Sequence, residues 1–143
     1  MLHEAFHAFQ FSANSPGFRY TGASFWYVET TADWYTINNN PTGITTFSKA
    51  GVVIANPHLA LWHSLGTEAP GDYNGSIFRI RPYAVDTLLW YLTDVKGVDS
   101  TIITEGFYAN TDLYPQEYIF NRIGKNISIL SSHHSLSPLK DPP

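Results

Sequence analysis

Residues 2–11 read LHEAFHAFQF, and the spacing of their side chains decides what this chain is built from. At about 100° per residue, Leu2, Ala5, Phe6 and Phe9 gather on one apolar face of a helix. His3 and His7 fall one turn apart on the adjoining face. Residues four apart differ by about 40° around the axis, so two imidazoles can converge on one ion. Glu4 projects about 100° from His3, to the flank of the pair, where a carboxylate reaches a metal-bound water without being a ligand itself. The competing reading is an exposed amphipathic helix that happens to carry these three residues. A third ligand downstream has to decide between them.

The composition bounds what such a site can serve. With 143 residues, 43% of them hydrophobic and 15% aromatic, the chain is sized for one globular domain with a real core. Only 14% of residues are charged and the net charge is −4, so no basic surface is available to track phosphates, and nucleic acid is not an expected partner. The apolar runs, such as LALW and LLWYL, fall short of the roughly eighteen residues needed to span a bilayer, which predicts a soluble protein. Cysteine is absent, so any metal must be held by His, Asp or Glu. Asn74-Gly-Ser76 and Asn126-Ile-Ser128 fit the glycosylation tripeptide, a pattern common by chance. Two residues stand ahead of His3, too few for a signal peptide.

Working outward from LHEAFHAFQF, Asn14-Ser-Pro16-Gly17 breaks the first helix. A second is predicted from a Ser24 cap to about Ile37, where Asn38-Asn-Asn-Pro41 stops it. Residues 41–81 read as irregular, with a short β segment expected at 51–54 and one or two helical turns from His58 to Leu65. Pro82 suits a first helical position, Val85, Leu88, Leu89, Leu92 and Val95 form an apolar stripe, and Gly97 suits the stop after the helix. Ser100 is read as the cap of a helix to about Asn110, and Pro115 as the start of one ending at Gly124. Residues 125–143 carry no period and read as a poorly ordered tail. The expectation is one mainly α domain over residues 1–124.

The second helix offers the expected third ligand. One zinc-peptidase pattern places another His shortly after the pair, but Gln10 and Ala13 occupy the positions it would need. The other takes a Glu from a separate helix, and WYVETTADW supplies Glu29, with Asp33 one turn later on the same face. An Asp there can accept the free ring N–H of a ligand His and fix its orientation.

HEAFH followed by ETTAD on a helix resembles the gluzincin zinc metallopeptidases. The resemblance implies a zincin-like helical subdomain in which His3, His7 and Glu29 bind Zn2+, Glu4 is the general base, and Asp33 supports a ligand His. More closely, HEAFHAFQ, ETTADW, ANPHLALW and RPYAVDTLLWYL are similar to an uncharacterised HExxH-bearing family of bacterial and fungal proteins; secretion of a longer parent would rest on that likeness alone. Gluzincins carry a β-sheet before the HExxH helix whose edge strand holds the substrate backbone, and this chain starts at the helix. The resemblance therefore implies a fragment lacking that sheet.

Two His and one Glu leave a fourth position for a water made acidic near neutral pH, with Glu4 to take its proton and pass it to the leaving amine of a peptide or protein substrate. Gluzincins stabilise the oxyanion with a Tyr or His outside the metal helices. The candidates are Tyr83, Tyr73, His58 and His63, and Tyr83, at the mouth of a strong helix, is preferred. The other groups have plainer readings. Trp26, Trp34, Trp62 and Trp90 are read mainly as core, and Asp72, Asp86, Asp94 and Glu105 as solvated charges or caps. Two further functions compete: a zinc-dependent scaffold with no use for Glu4, and an aromatic binding module needing no metal.

Overall fold

A computed structural model describes residues 2–40, 50–55 and 81–133, with the side chains at 52, 53, 81 and 125–133 excepted. The protein is mainly helical, and among the described residues there is no strand. Helix α1 is Leu2–Phe11 and α2 is Phe25–Asn39. Next come the short α3, Ala50–Ile54, a 3-10 turn at Arg81–Tyr83, and α4, Asp86–Trp90. Helix α5 is Ser100–Glu105, and α6 is Pro115–His133. No described helix is long and apolar enough to cross a membrane.

Helix α2 is the axis of the fold. Trp26, Tyr27, Val28, Thr30, Thr31, Ala32, Trp34 and Ile37 are all buried, covering every side of the helix. A helix buried all round belongs in the middle of a protein. Its polar groups are paired accordingly: the Thr31 hydroxyl donates to Tyr27 O at 2.7 Å, and the Tyr27 hydroxyl to Ile103 O at 2.6 Å. Helix α1 packs on one side of it, and the 81–83 turn and α4 on another. Phe18, Trp26, Tyr27, Val85, Leu89, Ile103, Phe107 and Ile119 close the core. Within it the Phe18, Tyr27 and Phe107 rings meet at 5.1 to 5.9 Å, in the range where edge-to-face and offset aromatic pairs add to area burial.

Several local expectations change. Residues 51–54 are helical, with Ala55 N–H bonded to Gly51 O at 2.9 Å; the Val-Val-Ile run favours a strand only where another strand pairs with it. Ser24 does sit at the start of α2, but its hydroxyl donates to Gly17 O and leaves the helix end uncapped by a side chain. Asp99, one residue before Ser100, caps α5 through Thr101 N–H at 2.8 Å, and α5 gives way at Gly106–Tyr108 to a 3-10 turn. Asp86 is fully buried in the first turn of α4, where a carboxylate complements the helix dipole. Beyond α4 the chain makes a π turn at Tyr91–Val95, with Lys96 N–H bonded to Tyr91 O. The extra residue per turn rotates Val95 off the stripe, and it is 54% exposed. Gly97, at φ +67°, ends this segment as its spacing suggested. Helix α6 does not stop at Gly124 but runs to His133, since an isolated glycine lowers helix propensity without breaking the hydrogen-bond ladder. Trp26 and Trp34 are buried while Trp90 is 36% exposed. Trp62, Asp72 and the turns expected at His58 to Leu65 lie outside the described residues.

The loop joining α1 to α2 is pinned to the segment between α5 and α6. Ser15 N–H donates to Phe107 O at 3.2 Å and Gly17 N–H to Thr111 O at 3.0 Å. A Cβ on Gly17 would stand 2.0 Å from Leu113 O, a backbone atom that cannot swing aside. Gly17→Ala is therefore expected to destabilise the fold by about 1–3 kcal/mol, as overpacking does. A thermal unfolding midpoint equal to that of the parent would show that this contact is not rigid.

Candidate metal centre

Helix α1 presents His3 and His7 to α2, and α2 presents Glu29 and Asp33 to α1. His3 Nε2 lies 3.0 Å from His7 Nε2 and 3.2 Å from Glu29 Oε2, and His7 Nε2 lies 3.8 Å from the same oxygen. One ligand atom from each of the three residues falls within 4.8 Å of the others. His7 and Glu29 are buried, at 8% and 2% exposure, and His3 is part-buried.

The hydrogen bonds behind the donors fix which ring nitrogens point inward. Asp33 Oδ1 lies 2.7 Å from His3 Nδ1, and a carboxylate oxygen only accepts, so the proton is on Nδ1. On the other ring, Gln10 Oε1 lies 2.6 Å from His7 Nδ1. The orientation of that amide follows from its own partners: Gln10 Nε2 donates to Val28 O at 2.9 Å and to Thr31 Oγ1 at 2.7 Å, while the Thr31 hydroxyl spends its proton on α2 carbonyls. Gln10 Oε1 is therefore the acceptor and His7 Nδ1 the donor. Each ring then turns Nε2 toward the other and toward Glu29 Oε2, where the lone pairs would repel unless a proton or a metal cation lies between them.

The electrostatics register the same convergence. Hydrogen bonds to Asp33 and to Glu29 raise His3 to about 9, against the opposing cost of its burial. Burial pushes the Glu29 carboxyl up, but the hydrogen bonds from His3 and Tyr20 and the neighbouring imidazoles outweigh it and hold the group below its ordinary value. A proton and a cation would therefore compete for His3 Nε2. Three donors of nitrogen and oxygen type on two packed helices fit a divalent cation that accepts imidazole and carboxylate.

Around the donors is a cleft of about 390 Å³ lined by His3, Glu4, His7, Phe11, Tyr20, Glu29 and Tyr83. Glu4 is exposed within it. Tyr83 enters from the 81–83 turn, which is tied to α2 by the Thr30 hydroxyl donating to Pro82 O at 2.6 Å. Its ring stacks on His3 at 6.4 Å, and burial followed by the charge of Glu29 pushes its phenol up to about 12, so it is a donor at neutral pH. Tyr73, His58 and His63 lie outside the described residues. A larger apolar groove of about 600 Å³, lined by Leu2, Phe6, Phe9, Trp34 and Thr104 among others, occupies another face of α1 and contains none of the metal donors.

Two residues at the site went unread in the sequence. Gln10 follows His7 by three, which places it on the same helical face, a signal visible once a ligand's orientation is considered as well as the ligand itself. Tyr20, whose hydroxyl donates to Glu29 Oε1, comes from a loop without periodicity.

The fold and the donor set define a helical protein with a two-His, one-Glu group that could hold a metal ion. Comparison with protein-family models, with curated proteins and with solved structures found no match.

Proposed function

We propose that the protein is a zinc-dependent peptidase of gluzincin type, acting on a peptide or protein substrate. The observation that carries this reading is the convergence of the two Nε2 atoms, each turned inward by a hydrogen bond at Nδ1, on each other and on Glu29 Oε2 across 3.0 to 3.8 Å with Glu4 in the same cleft. When bound, zinc supplies a Lewis acid that polarises a carbonyl and makes water acidic near neutral pH. The residues of the chain do the rest. His3, His7 and Glu29 hold the ion, and Asp33 and Gln10 keep the two rings in the ligating tautomer. Glu4 takes a proton from the attacking water and returns it to the leaving amine, so that it ends the cycle ionised as it began. Tyr83 donates its hydroxyl proton in a hydrogen bond to the oxyanion that forms on the former carbonyl. A structural zinc site normally closes its fourth position with another side chain and has no use for an acidic residue beside it, which favours the enzyme over a scaffold.

The untagged protein is expected to contain about one zinc per chain by elemental analysis, and Glu29→Ala to contain none while remaining folded by circular dichroism. Folded wild-type protein that takes up no zinc on dialysis against the ion would overturn the reading.

A further inference from the structure

The two carboxylate oxygens of Glu29 face different groups. Oε2 belongs to the converging set, 3.2 Å from His3 Nε2 and 3.8 Å from His7 Nε2. Oε1 accepts a hydrogen bond from the hydroxyl of Tyr20, nine residues earlier in the chain. The Tyr20 ring is held edge-on by Phe25 at 4.9 Å, by Phe11 at 5.9 Å and by His7 at 5.9 Å. Its loop is anchored just ahead of the tyrosine. Ser15 and Gly17 bond to the 107–111 segment, and Gly17 leaves no room for a Cβ against the Leu113 carbonyl. The hydroxyl therefore reaches Glu29 from a fixed direction.

We propose that Tyr20 is a positioning residue of the metal centre: its hydroxyl holds Oε1 back, so that Glu29 ligates through Oε2 alone and the side of the ion facing the cleft stays open. The inference rests on the reading of His3, His7 and Glu29 as metal ligands. A carboxylate binds a cation through one oxygen or two, and the choice is set by what competes for the second oxygen. With three protein ligands, water and substrate need the remaining position, and a second Glu29 oxygen turning inward would take it. A neutral phenol suits the task because it donates a hydrogen bond without adding charge beside the ion. The hydrogen bond also fixes the carboxylate's rotation, as partners behind metal ligands do.

The test replaces Tyr20 with Phe, which keeps the ring and its aromatic contacts and removes the hydroxyl. Wild type and Tyr20→Phe would be loaded with Co2+ and their visible spectra recorded, with zinc affinity measured by chelator competition and metal-free thermal unfolding followed in parallel. Wild type is expected to show the intense visible bands of four-coordinate cobalt. Tyr20→Phe is expected to unfold at the same temperature without metal, to show weaker bands as the second oxygen enters, and to bind zinc about 10- to 100-fold more weakly. An unchanged spectrum and affinity in Tyr20→Phe would refute the role of Tyr20 and leave the metal site standing. Wild-type protein that binds neither ion would overturn the site itself, and the assignment of Tyr20 with it.

Discussion

Replacing Glu4 with Gln is expected to leave about one zinc on each chain and to lower the rate of peptide hydrolysis by about 10²–10⁴-fold, the usual contribution of a positioned general base. The substitution keeps the size of the side chain and its ability to hydrogen-bond a water, but an amide oxygen does not take up a proton near neutral pH. Because Glu4 is exposed and is not one of the three converging donors, neither the core nor the metal should respond. The measurement pairs zinc content with turnover of a peptide library by wild type and variant. Hydrolysis that survives in Glu4→Gln would remove Glu4 from the mechanism. A zinc-dependent binding activity that survives, with no hydrolysis in either protein, would favour the scaffold.

The second large effect is on pH. His3 holds its proton up to about pH 9 because Asp33 and Glu29 both favour the imidazolium. A metal needs that nitrogen bare, so binding must displace the proton at any pH below this value. Apparent zinc affinity is therefore expected to rise by about 10²-fold between pH 6.5 and 9 and to level off above, each pH unit below the His3 value costing about tenfold. The metal-free protein follows the opposite course. A histidine whose folded value is raised contributes stability that is fully present below its ordinary 6.5 and is lost as the pH climbs through about 9. Chelator-treated protein should thus unfold at a falling temperature across that window. Asp33→Asn keeps an acceptor for Nδ1 but removes the charge, and should move the rise in affinity to lower pH. A pH profile identical to that of wild type in this variant would mean that Asp33 does not set the protonation of His3.

How far these features are legible in the sequence depends on how local their causes are. The helical course of residues 2–11 follows from side-chain spacing, whereas that of 25–39, buried on every side, is marked in the sequence by the Asn-Pro break that ends it. The choice of Glu29 as partner of the two histidines comes from the zinc-peptidase pattern that HEAFH and ETTAD resemble, and the packing of α1 on α2 is what brings the three together. The exceptions have tertiary causes. The Val-Val-Ile run at 52–54 favours a strand by propensity, yet that segment is helical. Val95 fits a 3.6-residue stripe until a π turn adds a residue, and nothing in YLTDV announces that turn. Asp86 looks like a surface charge and is buried. Ser24 is spelled as a helix cap, but its hydroxyl is drawn away by Gly17 O. Tyr20 is the most hidden of all. Its place at Glu29 depends on a glycine wedged against Leu113, a contact between residues far apart in the sequence.

The pairing of α1 with α2 has a bearing on how the protein folds. His3 and Asp33, the outermost members of the cluster, are thirty residues apart, and that span holds His3, His7, Glu29 and the tyrosine behind Glu29. Closing so short a loop costs little entropy compared with a site assembled from distant parts of a chain, and native contacts of small sequence separation form early. A cation captured by this hairpin would bring the two helices together before α4, α5 and α6 dock around α2. A metal held there as proposed would then act as a folding nucleus for the helices that pack on α2 afterwards.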